Sequence, residues 1–254
     1  MAKKLGAPDA QVVQTKELKM DKPLLICGFP SAGVVGTIAA STIIEQFKME
    51  EIAHIRSKHM PSAAVFLDGI LRHPFRIYGS EEKNLLVVMT ELPISEEGLY
   101  YVSSALLDWA AGAGVHETVI IDGIPVQGLP SERKVLYAAE REKLAELKED
   151  DGMEILKKGI ITGIAGSILS ETLCRDMVGF ALLTPAIATI PDPEGAIQLL
   201  EALNRLYNVG VQLTELQESA DKIRVKLTDM AEQVDGMRRG QPRASGKSYE
   251  RMYA

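Results

Sequence analysis

Short runs of consecutive apolar residues, each closed by turn residues and followed by a longer stretch with helical spacing, recur along most of the chain. That alternation predicts an α/β fold with a largely parallel sheet. Leu24–Gly28 (LLICG) reads as a buried strand, and a helix follows over 33–47 after the turn at Phe29, Pro30 and Ser31. Leu85–Thr90 (LLVVMT) is a second strand leading into a helix over 99–111, and 118–122 (TVIID) is a third strand. Between the first two, 52–57, 63–67 and 75–78 read as shorter strands, the last two joined through Asp68 and Gly69 as a hairpin. Further on, 140–151 is charged with Leu144 and Leu147 on one edge, which predicts an exposed helix ended by Gly152. A glycine-punctuated strand and turn over 159–166, a helix over 167–174 and a strand over 178–183 come next. Pro191, Asp192 and Pro193 form a stop, and Glu194 opens a helix with Ile197, Leu200, Leu203 and Leu206 on one side.

Past residue 208 the pattern becomes strictly periodic. Leu213, Leu216, Ala220, Ile223, Leu227, Met230, Val234 and Met237 recur at steps of three and four, the a/d seam of a coiled coil that needs a partner helix. At ~1.5 Å rise per residue the stretch would make an arm of roughly 36 Å. The remaining residues contain Gly240, Pro242 and Gly246 among basic side chains and predict a flexible tether. The expected organisation is an N-terminal extension (1–20), an α/β domain (21–208), a coiled-coil helix (209–237) and a flexible tail (238–254).

With 254 residues, 46% hydrophobic and 25% charged, the chain can bury a full core in one main domain. A net charge of −7 argues against a nucleic-acid partner held by broad phosphate neutralisation. Only Cys27 and Cys174 occur, without CxxC or Cys/His spacing, which fits a reducing cytoplasm. Residues 1–20 lack the apolar centre of a signal peptide, and no apolar run approaches the ~20 residues that cross a bilayer. The expectation is a soluble, cytoplasmic protein without a membrane partner.

Three features carry candidate chemistry. The turn Gly28–Gly36 (GFPSAGVVG) could hold a small anion at a helix N-terminus, or Gly33 and Gly36 could serve close packing of helix on sheet. It lacks both the GxGxxG spacing and a Walker lysine. Glu91 and Asp122 stand at strand ends, where two carboxylates could act as acid and base or bind a ribose. His54, His59, His73 and His116 are scattered without metal-ligand spacing, so neither a metal nor a cofactor is expected. Met252, Tyr253 and Ala254 combine an apolar anchor, an amphipathic ring and a terminal carboxylate suited to a lysine-lined pocket.

The segments LLICGFPSAGVVG, VIIDGIPVQG, GIITGIAGSIL and IPDPEGAIQLLEALN resemble the archaeal members of the proteasome assembly chaperone family, close to the branch of the second chaperone, over roughly residues 22–208. The resemblance implies a three-layer α/β/α sandwich similar to purine nucleoside phosphorylases, a homo-oligomer, and no recognised catalytic set. It also implies that Met252, Tyr253 and Ala254 match the hydrophobic-tyrosine-any-residue ending that docks in pockets of the core proteasome α-ring. The expected role is therefore an assembly chaperone or activator independent of ATP rather than an enzyme. Pairing with another family member and a nucleoside phosphorylase-like hydrolase or ligase using Glu91 and Asp122 are the competing readings.

Overall fold

The computed structural model describes residues 9–67, 69–128, 130, 132–147 and 153–222. Its strands are β1 (Ala10–Gln14), β2 (Leu24–Gly28), β3 (Glu50–Ser57), β4 (Val65–Leu67), β5 (Ile70–Arg72), β6 (Phe75–Ser80), β7 (Leu85–Thr90), β8 (Glu117–Val126), β9 (Val135–Ala139), β10 (Met153–Ile155) and β11 (Val178–Ile187). Its α-helices are α1 (Val35–Gln46), α2 (Glu96–Gly112), α3 (Arg141–Glu146), α4 (Gly163–Cys174) and α5 (Pro193–Tyr207), and a further helix runs over 214–222.

Nine strands form one sheet in the order β1-β3-β6-β7-β2-β8-β11-β9-β10. The central strands β7, β2, β8 and β11 are parallel, whereas β1, β3 and β6 on one side and β9 on the other run antiparallel to their inner neighbours. The sheet is thus mixed, and the predicted parallel character belongs to its centre. Alternate side chains explain the layers. Leu24, Ile26, Val87, Val119 and Phe180 pack on one face with Val35, Ala39 and Ile43 of α1 and Leu199, Leu200 and Leu203 of α5. Leu25, Cys27, Val88, Ile120 and Ala181 pack on the other with Val102, Leu106 and Leu107 of α2 and Ile168 of α4. Burial of both faces is why these strands read as continuous apolar runs. The α/β fold expected from the sequence is observed, with helices on both faces of a mixed sheet, as in the α/β/α sandwich that the resemblance implies.

Several boundaries differ. The hairpin at Gly69 joins β4 to β5 as a separate two-stranded sheet, while 75–80 enters the main sheet as β6. Asp68 lies outside the described residues. Residues 159–162 form no strand, because α4 starts at Gly163, earlier than the glycine pattern suggests. The charged helix spans only Arg141–Glu146, capped by the Glu140 carboxylate on the amides of Glu142 and Lys143; Gly152 lies outside the described residues. Residues 10–14, assigned to an extension, pair with β3 as the sheet's edge strand.

α5 follows its sequence signals closely. Asp192 accepts from the Gly195 amide at 3.1 Å, Pro193 opens the first turn, and Asn208 closes the helix in a left-handed conformation. The chain then turns back through Asn204, whose side-chain oxygen accepts from the amides of Gly210 and Val211 at 2.9 Å each. Leu213 and Leu216 pack against the α1/α5 core and Ala220 is buried, so this chain's own body covers the first three positions of the periodic seam. Ile223, Leu227, Met230, Val234 and Met237 lie outside the described residues, as do Met252, Tyr253 and Ala254. Among the described residues, no helix is long and apolar enough to cross a membrane.

Candidate functional site

From β2 the chain passes through α1 to β3, then by way of β6 to β7, all on one side of β2, and then through α2 to β8 on its other side. Strand order therefore reverses at β2 and β8, the position where open α/β sheets form ligand crevices. β8 outlasts β2: the last pair is Gly28 with Ile121, so Asp122 is the first residue of β8 beyond its neighbour's end. A cleft of about 670 Å³ opens there, lined by Pro30, Ser31, Asp122, Lys158, Thr162 and Leu183 among others.

Beside the cleft, glycines set how closely α1 and the turn before it sit on the sheet. A Cβ on Gly36 would stand 2.4 Å from the Ile121 carbonyl oxygen, and one on Gly28 2.2 Å from the Gly36 carbonyl oxygen. Helix α1 can approach the sheet this closely only with hydrogen at both positions. Gly33 adopts φ 61°, and its carbonyl accepts from the Asp192 amide at 2.9 Å. These contacts favour the packing reading of the glycine turn over the anion pocket.

Asp122 accepts from the Gly123 amide at 2.7 Å. Burial pushes its carboxyl above the ordinary value, with hydrogen bonding from Ser31 and Gly123 partly offsetting the shift. Glu91 does not line this cleft. It is held by Arg76, whose side chain is fully buried and whose Nη1 donates to Glu91 Oε2 at 3.0 Å, with Nη2 bonding Oε1 as well. Arg76 also donates to Tyr78 Oη at 2.8 Å and to the His73 carbonyl at 2.6 Å. The structure leaves the two candidate carboxylates in separate environments, one in a cleft and one in an ion pair, and does not assemble an acid and base.

The histidines divide similarly. His116 Nδ1 lies 3.1 Å from the Pro23 carbonyl, and His59 stacks on Tyr101 with ring centres 5.3 Å apart. His54 and His73, in contrast, stack on each other at 3.5 Å. Their sequence spacing gives no hint of this contact. Two further networks escape the sequence signals. Arg133, little exposed, donates to Asp192 Oδ2 and to the Pro185 carbonyl, both at 2.9 Å, tying the segment before β9 to the start of α5. Lys143 and the Tyr207 hydroxyl both meet Glu117, at 2.6 and 2.7 Å. Each joins residues far apart in the chain, so only the fold reveals them.

Residues 25–231 match the PAC2 family. The chain belongs to the PAC2 family. A protein of known structure and unknown function from Thermoplasma acidophilum shares 37% identity, with a TM-score of 0.73 over 87% of this chain and 90% of that one. PbaA of Pyrococcus furiosus, described as an archaeal homolog of proteasome-assembly chaperone, gives a TM-score of 0.79 at 24% identity, covering 91% of this chain and 95% of its own. PbaB of the same organism, described as an archaeal proteasome activator, gives 0.76 at 22% identity over 89% and 100%. At those identities the two Pyrococcus proteins share the PAC2 fold with this chain. Because the match reaches 231, the PAC2 unit includes the turn after α5 and the helix beginning at 214.

Proposed function

We propose that this chain is a proteasome assembly chaperone or activator that works without ATP and grips the core particle through Met252, Tyr253 and Ala254. The observation that carries the reading is membership of the PAC2 family over most of the chain, together with a fold shared with PbaA and PbaB over most of their lengths. The α/β/α body acts as a platform and the C-terminal segment as the contact. Met252 fills an apolar part of a pocket between α-ring subunits, the Tyr253 ring packs against its wall, and the carboxylate of Ala254 pairs with a lysine there. One such contact is weak. Several copies on one homo-oligomer raise the effective concentration of the remaining tails to about the millimolar range, which makes joint engagement strong. The periodic residues from Ile223 to Met237 supply the helix-to-helix seam of that oligomer, or pair with another family member. Such a protein works in the cytoplasm.

Any opening of the particle follows from preferential binding to the open α-ring, since binding shifts an equilibrium only by its differential affinity for the two states. Two assays separate the roles. An activator raises hydrolysis of a small fluorogenic peptide by intact core particles, and an assembly chaperone raises the yield of full particles from separated α and β subunits. Absence of both effects at saturating chain contradicts the proposal.

A further inference from the structure

We infer that Glu51, His54 and His73 form a binding site for one divalent transition-metal ion, with zinc the best match to the ligand set. The three donor groups lie within 4.8 Å of one another. No sequence spacing announces them, because a backbone irregularity creates the arrangement. Glu51 and His54 are three positions apart on β3, so a regular strand would send them to opposite faces. The register slips between Glu51 and Ala53: Glu51 faces Tyr78, Ala53 faces Ile77 and His54 faces Arg76. Three steps on β3 thus match two on β6, and the bulge turns Glu51 and His54 to the same side. His73 reaches them from the link between β5 and β6.

The local chemistry suits a cation. His73 Nδ1 lies 2.8 Å from Glu51 Oε1, which places an imidazole and a carboxylate in contact. The His54 and His73 rings are nearly parallel, 3° apart, with their centres 3.5 Å from each other. Among the described residues, His54 Nδ1 is buried and has no hydrogen-bond partner. Nearby Arg76 would repel a metal, but its charge is taken up by Glu91. Zinc bonds of about 2.0–2.2 Å to two imidazoles and a carboxylate require the exposed His73 ring to turn out of its parallel stack on His54 so that both lone pairs converge, and they leave a fourth position for water. Imidazole with carboxylate selects a borderline ion over calcium or magnesium. Because His73 directly follows β5, a bound ion would also tether the small hairpin to β3 of the main sheet.

This site does not depend on proteasome binding. Its test is titration of the tag-free full chain with Zn²⁺ against a chromophoric competitor chelator, alongside absorption spectra with Co²⁺. One equivalent should bind, with a Co²⁺ spectrum of low coordination number. His73→Ala and Glu51→Gln should each weaken Zn²⁺ by at least about tenfold, while His116→Ala should bind as the unaltered chain does. His73 is exposed, so His73→Ala decides the matter even if Glu51→Gln disturbs the strand. No stoichiometric binding by the unaltered chain, or unchanged affinity in His73→Ala, overturns the assignment.

Discussion

Arg76, a fully buried cation on β6, is clamped by Glu91 just past the end of β7, with both terminal guanidinium nitrogens engaged. The pair explains a carboxylate at a strand end without invoking catalysis. Removing Glu91 leaves a buried charge with only neutral acceptors, the Tyr78 hydroxyl and the His73 carbonyl. Glu91→Ala should therefore lower unfolding stability by about 3 kcal/mol, read by denaturant titration. A loss within error of zero would mean that Arg76 is solvated in solution.

Close approach of α1 to the sheet gives a second expectation. A Cβ at Gly36 meets the Ile121 carbonyl, a backbone atom that cannot swing aside. Gly36→Ala should cost about 1–3 kcal/mol by overpacking, although alanine is the better helix former. A Cβ on Gly112 would meet nothing within 4 Å, and Gly112→Ala serves as the tolerant control at a helical position.

Asp122 should reveal itself through pH. Burial raises its carboxyl in the folded chain, so the stability it contributes is full below the ordinary value of 3.8 and is lost as pH rises through the folded value. Near neutrality the unaltered chain bears the cost of a buried carboxylate, and Asp122→Asn does not. The gain in Tm from Asp122→Asn should be larger at about pH 7 than at about pH 4. An equal gain at both values would mean that the side chain is hydrated in the cleft.

Self-association is the fourth expectation. Static light scattering after size exclusion should give a mass that is a multiple of 27.7 kDa. A chain eluting as a monomer at working concentration contradicts the multivalent account.

Legibility in the sequence follows the range of the interactions. Leu85–Thr90 is readable because every one of its residues is buried, and α5 because Asp192, Pro193 and the periodic leucines are local signals. β1 and β10 are not, since short edge strands owe their conformation to partners distant in the chain. Gly163 and Gly166 read as strand punctuation, yet both lie in the first turn of α4: Gly163 takes φ 68°, and a Cβ on Gly166 would strike the Ile161 carbonyl at 2.2 Å. Asp122 reads correctly as a strand residue, but its separation from Glu91 requires the sheet order. Pairing of His54 with His73 requires the β3 bulge, which no residue pattern marks.

The central claim concerns Met252, Tyr253 and Ala254, and co-sedimentation with purified archaeal core proteasome tests it most directly. The full chain should sediment with the particle, and deletion of those three residues, with the α/β body intact by circular dichroism, should leave it in the supernatant. Equal co-sedimentation of full and shortened chains would contradict the account.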